Sequence, residues 1–272
     1  CEGRTKGVFQ LESNLGRSWA KRARPRNMEE LAALISIIRP GTLKAIQDGK
    51  SMTQHYVDRK NGTDEITYLH ESLKSILQST QGVLVYQEQA MKIAQQLAGF
   101  DLQEADSLRK AIGKKKADLM SEIKTEFIKG AEDEAIVSKE AAEEIFSWIE
   151  KSSRYLFNKS HAISYAICAY WSAYAKAHFP LEFYKSYLYH SEGKQDSQQE
   201  VRELISDAKV NNIGVFPPSF QNPCDKFSIH EEHINFGFQD VKYIGANQIV
   251  KINKAMEDCS DALSRTVGEL TW

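Results

Sequence analysis

The feature that most constrains the fold is a series of amphipathic helical patterns between residues 80 and 150. Apolar side chains recur at helical spacing in each pattern, so that each predicted helix has one face for a protein core. Gly99 follows the first helix as a C-cap, Asp101–Glu104 opens the second as a capping-box variant, and Ser138 caps the last. The predicted core residues are Tyr86, Ala90, Ile93, Ala94, Leu97, Leu102, Ala105, Leu108, Ile112, Leu119, Met120, Ile123, Phe127, Ala142, Ile145, Phe146 and Ile149. Short capped helices in succession predict a mainly α fold.

The segments before this series are less regular. Val8–Leu11 is strand-like, and a helix is predicted over Met28–Ile38 with Asn27 as its N-cap. Residues 48–70 are polar and contain many turn formers, so we expect an extended loop there. This part is therefore expected to add one helix and its connections to the helical core.

Residues 162–175 form the longest apolar run in the chain. A membrane span needs roughly 20 apolar residues, and this run has about 14, so we expect a buried core helix and no membrane partner. Pro180 suits the first turn of a further helix that ends near His190. The helical part of the chain is therefore expected to extend to about residue 190.

After His190 the composition becomes more polar and the pattern changes. Apolar residues alternate between Phe227 and Phe238 around the sequence H-E-E-H at 230–233, which predicts a β-hairpin. We therefore predict two domains, residues 1–190 and residues 191–272, of which the second is a small α+β region.

Composition narrows the class of protein and its compartment. The chain is 42% hydrophobic and 26% charged, which is ordinary for a globular protein. A formal net charge of -2 excludes a globally basic nucleic-acid coat, so a nucleic-acid role would need a local patch. The four cysteines form no C-x-x-C pair, which argues against a disulfide framework and for a reducing cytoplasm. Because the chain begins with Cys1 rather than Met, we expect it to be a piece of a longer polypeptide.

The most concentrated charge lies in the sequence A-D-S-L-R-K-A-I-G-K-K-K at 105–116. Five cations fall in eight positions with no acid among them, namely Arg109, Lys110, Lys114, Lys115 and Lys116. A basic helix C-terminus complements the macrodipole and explains the first two cations, but not the three lysines beyond Gly113. Charge alone therefore leaves two interpretations open, a solvated surface and a phosphate site.

A second candidate is the loop R-Y-L-F-N-K-S-H at 154–161, which leads into the apolar helix. Its polar residues Asn158, Lys159, Ser160 and His161 lie at a helix start, where free N–H groups attract anions. The alternative is a helix cap with aromatic packing.

A third basic segment, R-S-W-A-K-R-A-R-P-R, covers residues 17–26. It is either a solvated surface, which is the commoner outcome for a short basic run, or a patch for the DNA backbone. The candidate DNA-binding residues are Arg17, Lys21, Arg22, Arg24 and Arg26.

Other patterns exclude several kinds of chemistry. H-E-E-H at 230–233 lacks the H-E-x-x-H spacing that places two imidazoles on one helix face, and it falls at a predicted turn. No G-x-x-x-x-G-K-[ST] loop is present, and no paired-carboxylate constellation for a two-metal centre stands out. We therefore assign no metal ligand and no catalytic residue to this chain.

Together, several of these segments resemble one family, the alpha subunits of bacterial replicative DNA polymerase III, which are C-family polymerases. The matching segments are G-V-F-Q-L-E-S (7–13), Y-Q-E-Q-A-M-K-I-A-Q-Q-L-A-G-F (86–100), E-A-D-S-L-R-K-A-I-G-K-K-K (104–116), F-N-K-S-H-A-I-S-Y-A (157–166) and K-A-H-F-P-L-E-F (176–183). They occur in the family's order and at about its spacing. The resemblance is nearly continuous from Gly7 to about Tyr189 and weaker beyond.

The resemblance implies a helical fingers domain over residues 1–190, followed by the start of a helix-hairpin-helix-type DNA-binding region. It implies that basic fingers residues bind the triphosphate of an incoming deoxynucleoside triphosphate. Arg109 and Lys110 match a family Arg-Arg pair, although Lys110 replaces the bidentate fork with a point charge. Residues 114–116 match its lysine run, and residues 158–161 match a loop near the nascent base pair. Leu156 stands where the family usually has Gly.

The resemblance also implies partners and a cofactor. The family's catalytic aspartates hold two Mg²⁺ ions in a palm domain that would precede Cys1, so Mg²⁺ is expected for the parent enzyme and none for this chain. Template-primer DNA is an expected partner, and the sliding clamp and other replisome subunits would bind through regions outside this chain. Two alternatives from other classes are a stand-alone helical nucleic-acid-binding module and a helical scaffold for another protein.

Overall fold

The structure is a computed structural model that describes residues 2–114, 117–219, 223–241 and 243–265, without the side chains of residues 114, 117 and 259–265. The chain divides into two compact units, Cys1–Tyr170 and Trp171–Trp272. The division falls inside a long helix, and the domain boundary predicted near residue 190 stays a prediction.

The first unit is almost entirely helical. Its helices are α1 (Asn14–Ala23), α2 (Met28–Ile37), α3 (Pro40–Lys44), α4 (Met52–Lys60), α5 (Lys74–Leu77), α6 (Gln87–Ala98), α7 (Leu102–Lys114), α8 (Ala117–Glu134), α9 (Lys139–Ser152) and the first part of α10 (Lys159–His178). A two-stranded antiparallel ribbon, β1 (Ile46–Gln47) and β2 (Lys50–Ser51), precedes α4. The predicted mainly α fold is confirmed.

A large hydrophobic cluster of this unit is built mainly by α6, α7, α8 and α9. The apolar stripes read from the sequence supply most of its buried side chains, including the fully buried Leu108, Phe127 and Phe146. Leu102 is an exception, because its side chain is 73% exposed. It is the first residue of α7, and helical side chains tilt toward the N-terminus, so it projects past the helix end instead of into the core.

The link between α6 and α7 has the cap chemistry that the sequence indicates. Gly99 adopts a left-handed φ of 65°. Asp101 Oδ1 accepts hydrogen bonds from the Gln103 and Glu104 amides at 2.7 and 2.8 Å, and the Asp101 amide donates to Glu104 Oε2 at 2.8 Å. The two helices pack against each other, and so short a link is typical of antiparallel neighbours.

Two predictions for the N-terminal part need correction, and the first concerns Val8–Leu11. The backbone there forms successive turns instead of a strand, with the Val8 amide donating to the Thr5 carbonyl and the Leu11 amide to the Val8 carbonyl. Left-handed φ values of 74° at Gly7 and 63° at Gln10 interrupt an extended path. By contrast, the helix at Met28 is confirmed, and Asn27 Oδ1 caps it by accepting from the Glu30 amide at 2.9 Å.

The second correction concerns residues 48–70, which contain α4 and not only loop. Ser51 caps this helix by accepting a hydrogen bond from the Gln54 amide at 3.1 Å. Tyr56 and Val57 are buried, and Thr53 Oγ1 donates to the Ile37 carbonyl at 2.6 Å. The helix is amphipathic only weakly, and its burial comes from contacts with distant residues, which override a polar local sequence.

The predicted core helix at 162–175 corresponds to the middle of α10, and only one side of it is buried. Ala162, Ala166 and Ala169 are buried, whereas Tyr170 and Trp171 are exposed. The expectation of a buried helix therefore holds for its alanine face. Among the described residues, no helix is long and apolar enough to cross a bilayer.

The second unit combines helices with a small sheet. Its elements after α10 are α11 (Pro180–Tyr189), α12 (Ser197–Val210), β3 (Gly214–Phe216), β4 (Ser228–His230), β5 (His233–Asn235) and α13 (Ala246–Arg265). The predicted hairpin is confirmed by the antiparallel pairing of β4 with β5. The parallel pairing of β3 with β5 was not predicted. The core of this unit contains Tyr184, Leu188, Leu204, Ala208, Phe227 and Ile234.

A close helix contact gives a prediction for stability. A Cβ added at Gly130 of α8 would overlap the Ala98 carbonyl oxygen, whereas one added at Gly113 of α7 meets no atom within 4 Å. We expect Gly130→Ala to lower the free energy of unfolding by about 1–3 kcal/mol through overpacking. The control Gly113→Ala should be neutral or raise it by up to about 1 kcal/mol. Urea unfolding of both variants measures the difference, and equal values would contradict this account of the α6–α8 contact.

Candidate functional site

The basic end of α7 contains a counter-ion that the sequence count overlooked. Arg109 Nε lies 2.7 Å from Asp106 Oδ1, and Lys110 Nζ lies 2.8 Å from Asp106 Oδ2. The cluster of positive charge begins at residue 109, and the compensating acid, Asp106, lies one helical turn earlier. It is three residues before Arg109 and four before Lys110, the spacings at which helical side chains meet. These two cations therefore share one carboxylate, and the description of the cluster as unbalanced is corrected for them.

The shared carboxylate responds to its partners. The Lys110 ammonium, and next the Arg109 guanidinium, hydrogen-bond to Asp106 and hold the pKa of its carboxyl below the ordinary value. The Arg109 side chain is 36% exposed and that of Lys110 is 55% exposed, so both cations remain accessible to a ligand. The backbone of α7 continues to Lys114, whereas the Lys114 side chain and the predicted residues Lys115 and Lys116 lie outside the described residues.

The start of α10 is held by a carboxylate of the chain itself. Asn158 Oδ1 caps the helix by accepting from the His161 amide at 2.8 Å and from Ser160 Oγ at 2.6 Å. Glu88, in the first turn of α6, accepts from Asn158 Nδ2 at 3.0 Å and from the Lys159 amide at 2.9 Å. The anion at this helix N-terminus is therefore Glu88, so a ligand anion would have to displace it to reach the Lys159 amide.

Backbone pairing fixes the same loop to the residues that precede α6. The Phe157 amide donates to the Val85 carbonyl, and the Gln87 amide donates to the Phe157 carbonyl, both at 2.9 Å. The chain thereby forms a parallel bridge between Tyr86 and Phe157. The loop and the start of α6 consequently form one connected piece of structure.

Aromatic and cationic side chains cover this loop. The His161 ring lies between Phe157 and Tyr165, with centroid distances of 5.4 and 4.1 Å. Arg39 places its Cζ 4.2 Å from the centroid of the Phe157 ring and donates from Nη2 to the Tyr155 carbonyl at 2.8 Å. Burial lowers the pKa of the Arg39 guanidinium from its ordinary value.

The short link between α6 and α7 favours one arrangement of the two candidate groups. The helices contain 12 and 13 residues, so their lengths nearly match, and they pack against each other. A short link favours antiparallel neighbours, so we infer that the C-terminal end of α7, which carries Arg109 and Lys110, faces the N-terminal end of α6, which carries Glu88. Because Glu88 holds Asn158 and Lys159, this inference assigns both predicted nucleotide-binding groups to one end of the core.

The third basic group lies on α1 and in the residues that follow it. All five predicted DNA-binding residues are exposed: Arg17, Lys21, Arg22, Arg24 and Arg26. The chain after α1 is fixed by α4, since Lys60 Nζ donates to the Arg24 carbonyl at 3.3 Å and Asn61 Nδ2 to the Arg22 carbonyl at 2.8 Å. The backbone that carries these exposed cations is therefore held in place by hydrogen bonds from the end of α4.

Three residues of the candidate site were missed by sequence reasoning. Asp106 could have been found from its helical spacing to Arg109 and Lys110. Glu88 and Arg39 offered no local signal, because each contacts the loop at 155–159 across a long stretch of chain.

Comparison with known proteins agrees with this fold. Residues 1–135 match the family described as the bacterial DNA polymerase III alpha subunit finger domain.

Curated relatives extend the similarity over most of the chain. The protein "DNA polymerase III subunit alpha" of Aquifex aeolicus is 40% identical over 245 residues, which cover 90% of this chain and 20% of that protein. The proteins of the same name from Thermus aquaticus and Escherichia coli K12 are 39% and 36% identical, over 89% and 92% of this chain and 19% and 21% of their own lengths. The chain thus spans about a fifth of the length of these relatives.

The contact of Glu88 with the start of α10 predicts a local effect on stability. Glu88→Ala removes the acceptor for two hydrogen bonds, so we expect it to lower the free energy of unfolding by about 1–3 kcal/mol and to speed hydrogen exchange at the Lys159 amide. Glu88→Gln keeps one neutral acceptor and should have a smaller effect. The control Glu71→Ala removes an exposed ion pair and should change little. Unaltered exchange at Lys159 in Glu88→Ala would contradict this role.

Asp106 predicts a defined pH response. A carboxyl whose pKa is lower in the folded state adds stability above its unfolded pKa, and that stability is lost as the pH falls through the folded pKa. We expect the side-chain carboxyl of Asp106 to titrate below its ordinary value in a ¹³C NMR experiment. Lys110→Gln should raise that midpoint, whereas Lys74→Gln, an exposed lysine paired with Glu71, should not. An ordinary midpoint in the unmodified chain would exclude the shared ion pair.

Proposed function

We propose that this chain, which belongs to the family of bacterial DNA polymerase III alpha subunits, forms the fingers portion of a DNA-directed DNA polymerase, a nucleotidyltransferase of DNA replication. Two observations support the proposal, the match of residues 1–135 to the family's finger domain and the helical core that the sequence pattern predicts. Since the chain spans about a fifth of its relatives, the activity proposed is that of the whole protein.

The observation that carries the proposal is the basic end of α7. Arg109 and Lys110 share the Asp106 carboxylate, and we propose that the triphosphate of an incoming deoxynucleoside triphosphate takes its place. A triphosphate offers several charged oxygens to the two cations at once, whereas Asp106 offers a single negative charge. We propose that Lys114, Lys115 and Lys116 extend the same basic surface.

In the loop at the start of α10, we propose different roles for its four polar residues. Asn158 and Ser160 are engaged in the cap, so their role is to hold the loop. The Lys159 side chain is 40% exposed, and its ion pair with Glu29, at 3.6 Å between Nζ and Oε1, lies at the surface. We propose that this cation exchanges Glu29 for the nucleotide. His161 packs against the Phe157 and Tyr165 rings at the helix start, where it would face the nascent base pair.

These residues would act by electrostatic stabilisation and not by covalent chemistry. Phosphoryl transfer builds negative charge on the triphosphate and the leaving pyrophosphate, and fixed cations beside that charge lower the barrier. A single charged contact of this kind contributes about 1.5–3 kcal/mol. The chain's own contribution to the reaction would therefore be to bind and orient the nucleotide.

Mg²⁺, which the family implies, does not fit the described part of the chain. The cluster of metal-ligating side chains found among the described residues is His230, Glu231 and His233, and two imidazoles do not suit a cation that prefers oxygen ligands. We propose that the ligands for Mg²⁺ lie elsewhere in the whole protein. The sliding clamp and other replisome subunits are likewise proposed to bind other regions.

Template-primer DNA is the second proposed partner. Its phosphates would contact the exposed cations of α1 and of the residues that follow it, namely Arg17, Lys21, Arg22, Arg24 and Arg26. Such contacts are independent of base sequence and sensitive to salt. The same observation favours a second candidate function, a stand-alone helical nucleic-acid-binding module without catalysis.

The test compares nucleotide use in the whole polymerase that contains this chain. Arg109→Ala should lower kcat/KM for the incoming nucleotide by about 10- to 100-fold, the equivalent of one charged contact. The control Lys74→Ala, which removes another exposed lysine with an acidic partner, should leave it unchanged. Circular dichroism checks that both variants fold. An unchanged nucleotide dependence in Arg109→Ala would contradict the triphosphate role and favour the second candidate.

A further inference from the structure

The hairpin of the second unit brings together side chains that the sequence pattern kept apart. Strands β4 and β5 are joined by a two-residue turn, and their register places His230 directly opposite His233. Residues that are directly opposite in an antiparallel pair project from the same face of the sheet. The two histidines lack the spacing that would place them on one face of a helix. In the hairpin they lie on one face of the sheet instead, so both can contribute to a shared site.

A carboxylate completes the group. His230, Glu231 and His233 each offer one ligand atom, and the three atoms lie within 4.8 Å of one another. The two imidazole centroids are 5.4 Å apart. The His233 ring is also packed edge-on against Phe216 at 4.9 Å, which restrains it on this face. Three donors of the kind found at transition-metal sites are therefore gathered at the end of one hairpin.

One nitrogen of this group is buried without a hydrogen bond to the protein. His230 Nδ1 has no hydrogen-bond partner among the described residues. Leaving a buried polar atom unpaired is unfavourable. A cation bound at Nδ1 would satisfy it. Glu231 is exposed, so the group is accessible to ions from solvent.

We propose that His230, Glu231 and His233 form a site for a divalent transition metal ion, of which Zn²⁺ fits the donors best. Neutral imidazoles and a carboxylate are common Zn²⁺ ligands, and three of them leave a fourth tetrahedral position for water. Ligand atoms at a tetrahedral Zn²⁺ lie about 3.3 Å apart, so each pair has to close by at most about 1.5 Å. The proposal replaces the assignment of no metal ligand to this chain, and it is independent of the polymerase function.

The bound ion would act as a clip across the hairpin. It would join β4 to β5 next to the turn, and β5 is the central strand of the sheet, paired with β3 on its other edge. An ion that binds the folded hairpin better than the unfolded chain stabilises the folded state by mass action.

The test uses the 272-residue chain, purified without a histidine tag, stripped of metal and titrated with Zn²⁺ in a calorimeter. His230→Gln and His233→Gln should each weaken Zn²⁺ binding by about tenfold or more. Glu231→Gln, which alters an exposed side chain and leaves the ring packing intact, should weaken it as well. The matched control is His190→Gln, an exposed histidine of the same unit. Circular dichroism in the absence of metal checks the fold of every variant.

A second measurement locates the ion. Histidine side-chain NMR should show Zn²⁺-dependent shifts at His230 and His233 and none at His190. This distinguishes the site from the cysteine side chains of the chain, since thiolates are also good Zn²⁺ ligands. Equal affinity in the Glu231→Gln variant and the unmodified chain, shifts confined to other histidines, or no binding at all would each overturn the proposal.

Discussion

The short link between α6 and α7 is the constraint on which the arrangement of the candidate site depends. A left-handed glycine and an aspartate cap end one helix and begin the next within the few residues between them. Because the helices are almost equal in length and a short link favours antiparallel neighbours, we infer that the basic end of α7 comes back toward the start of α6. On this inference, a change that lengthened the link or altered its caps would move Arg109 and Lys110 relative to the loop that Glu88 holds.

Charge compensation is the second organising feature of this end of the core. Asp106 neutralises part of the α7 cluster, and Glu88 occupies the helix N-terminus at Lys159. In the absence of a ligand, Asp106 reduces the repulsion between Arg109 and Lys110, and Glu88 provides a hydrogen-bond acceptor for the Lys159 amide. Under the proposed function, ligand binding at this surface would therefore be an exchange of anions and not the filling of an empty site.

Much of the helical core could be predicted from local pattern. Gly99, Asp101 and Ser138 lie at the ends of helices whose apolar stripes are buried. Helix ends and amphipathic faces are both determined by a few neighbouring residues, so the sequence is enough to predict them. Helix α4 could not, since Tyr56 and Val57 are buried by distant segments and the local sequence is polar. The parallel partner of β5 was also out of reach, because local alternation does not specify a distant strand.

The candidate site was predicted unevenly for the same reason. Local charge density indicated Arg109 and Lys110, but both cations are paired with Asp106 one turn earlier, so their charge is partly neutralised. The contacts of Glu88 and Arg39 join segments far apart in the chain, so no spacing rule would have found them. The histidines at 230 and 233 are a different case, because the H-E-x-x-H spacing describes a helix, whereas a hairpin brings these two residues together.

The relative strengths of the interactions indicate which anion this surface would favour. An exposed ion pair such as that of Asp106 with Lys110 contributes little to stability, because solvent screens both partners. A monoanion offers Arg109 and Lys110 little more than the carboxylate already there, so it would gain almost nothing by displacing it. A triphosphate can engage both cations with several oxygens at once, and hydrogen bonds between charged groups are stronger than neutral ones. Under the proposed function the internal acid would therefore favour polyanions, since a ligand with several charges recovers more than the ion pairs it breaks.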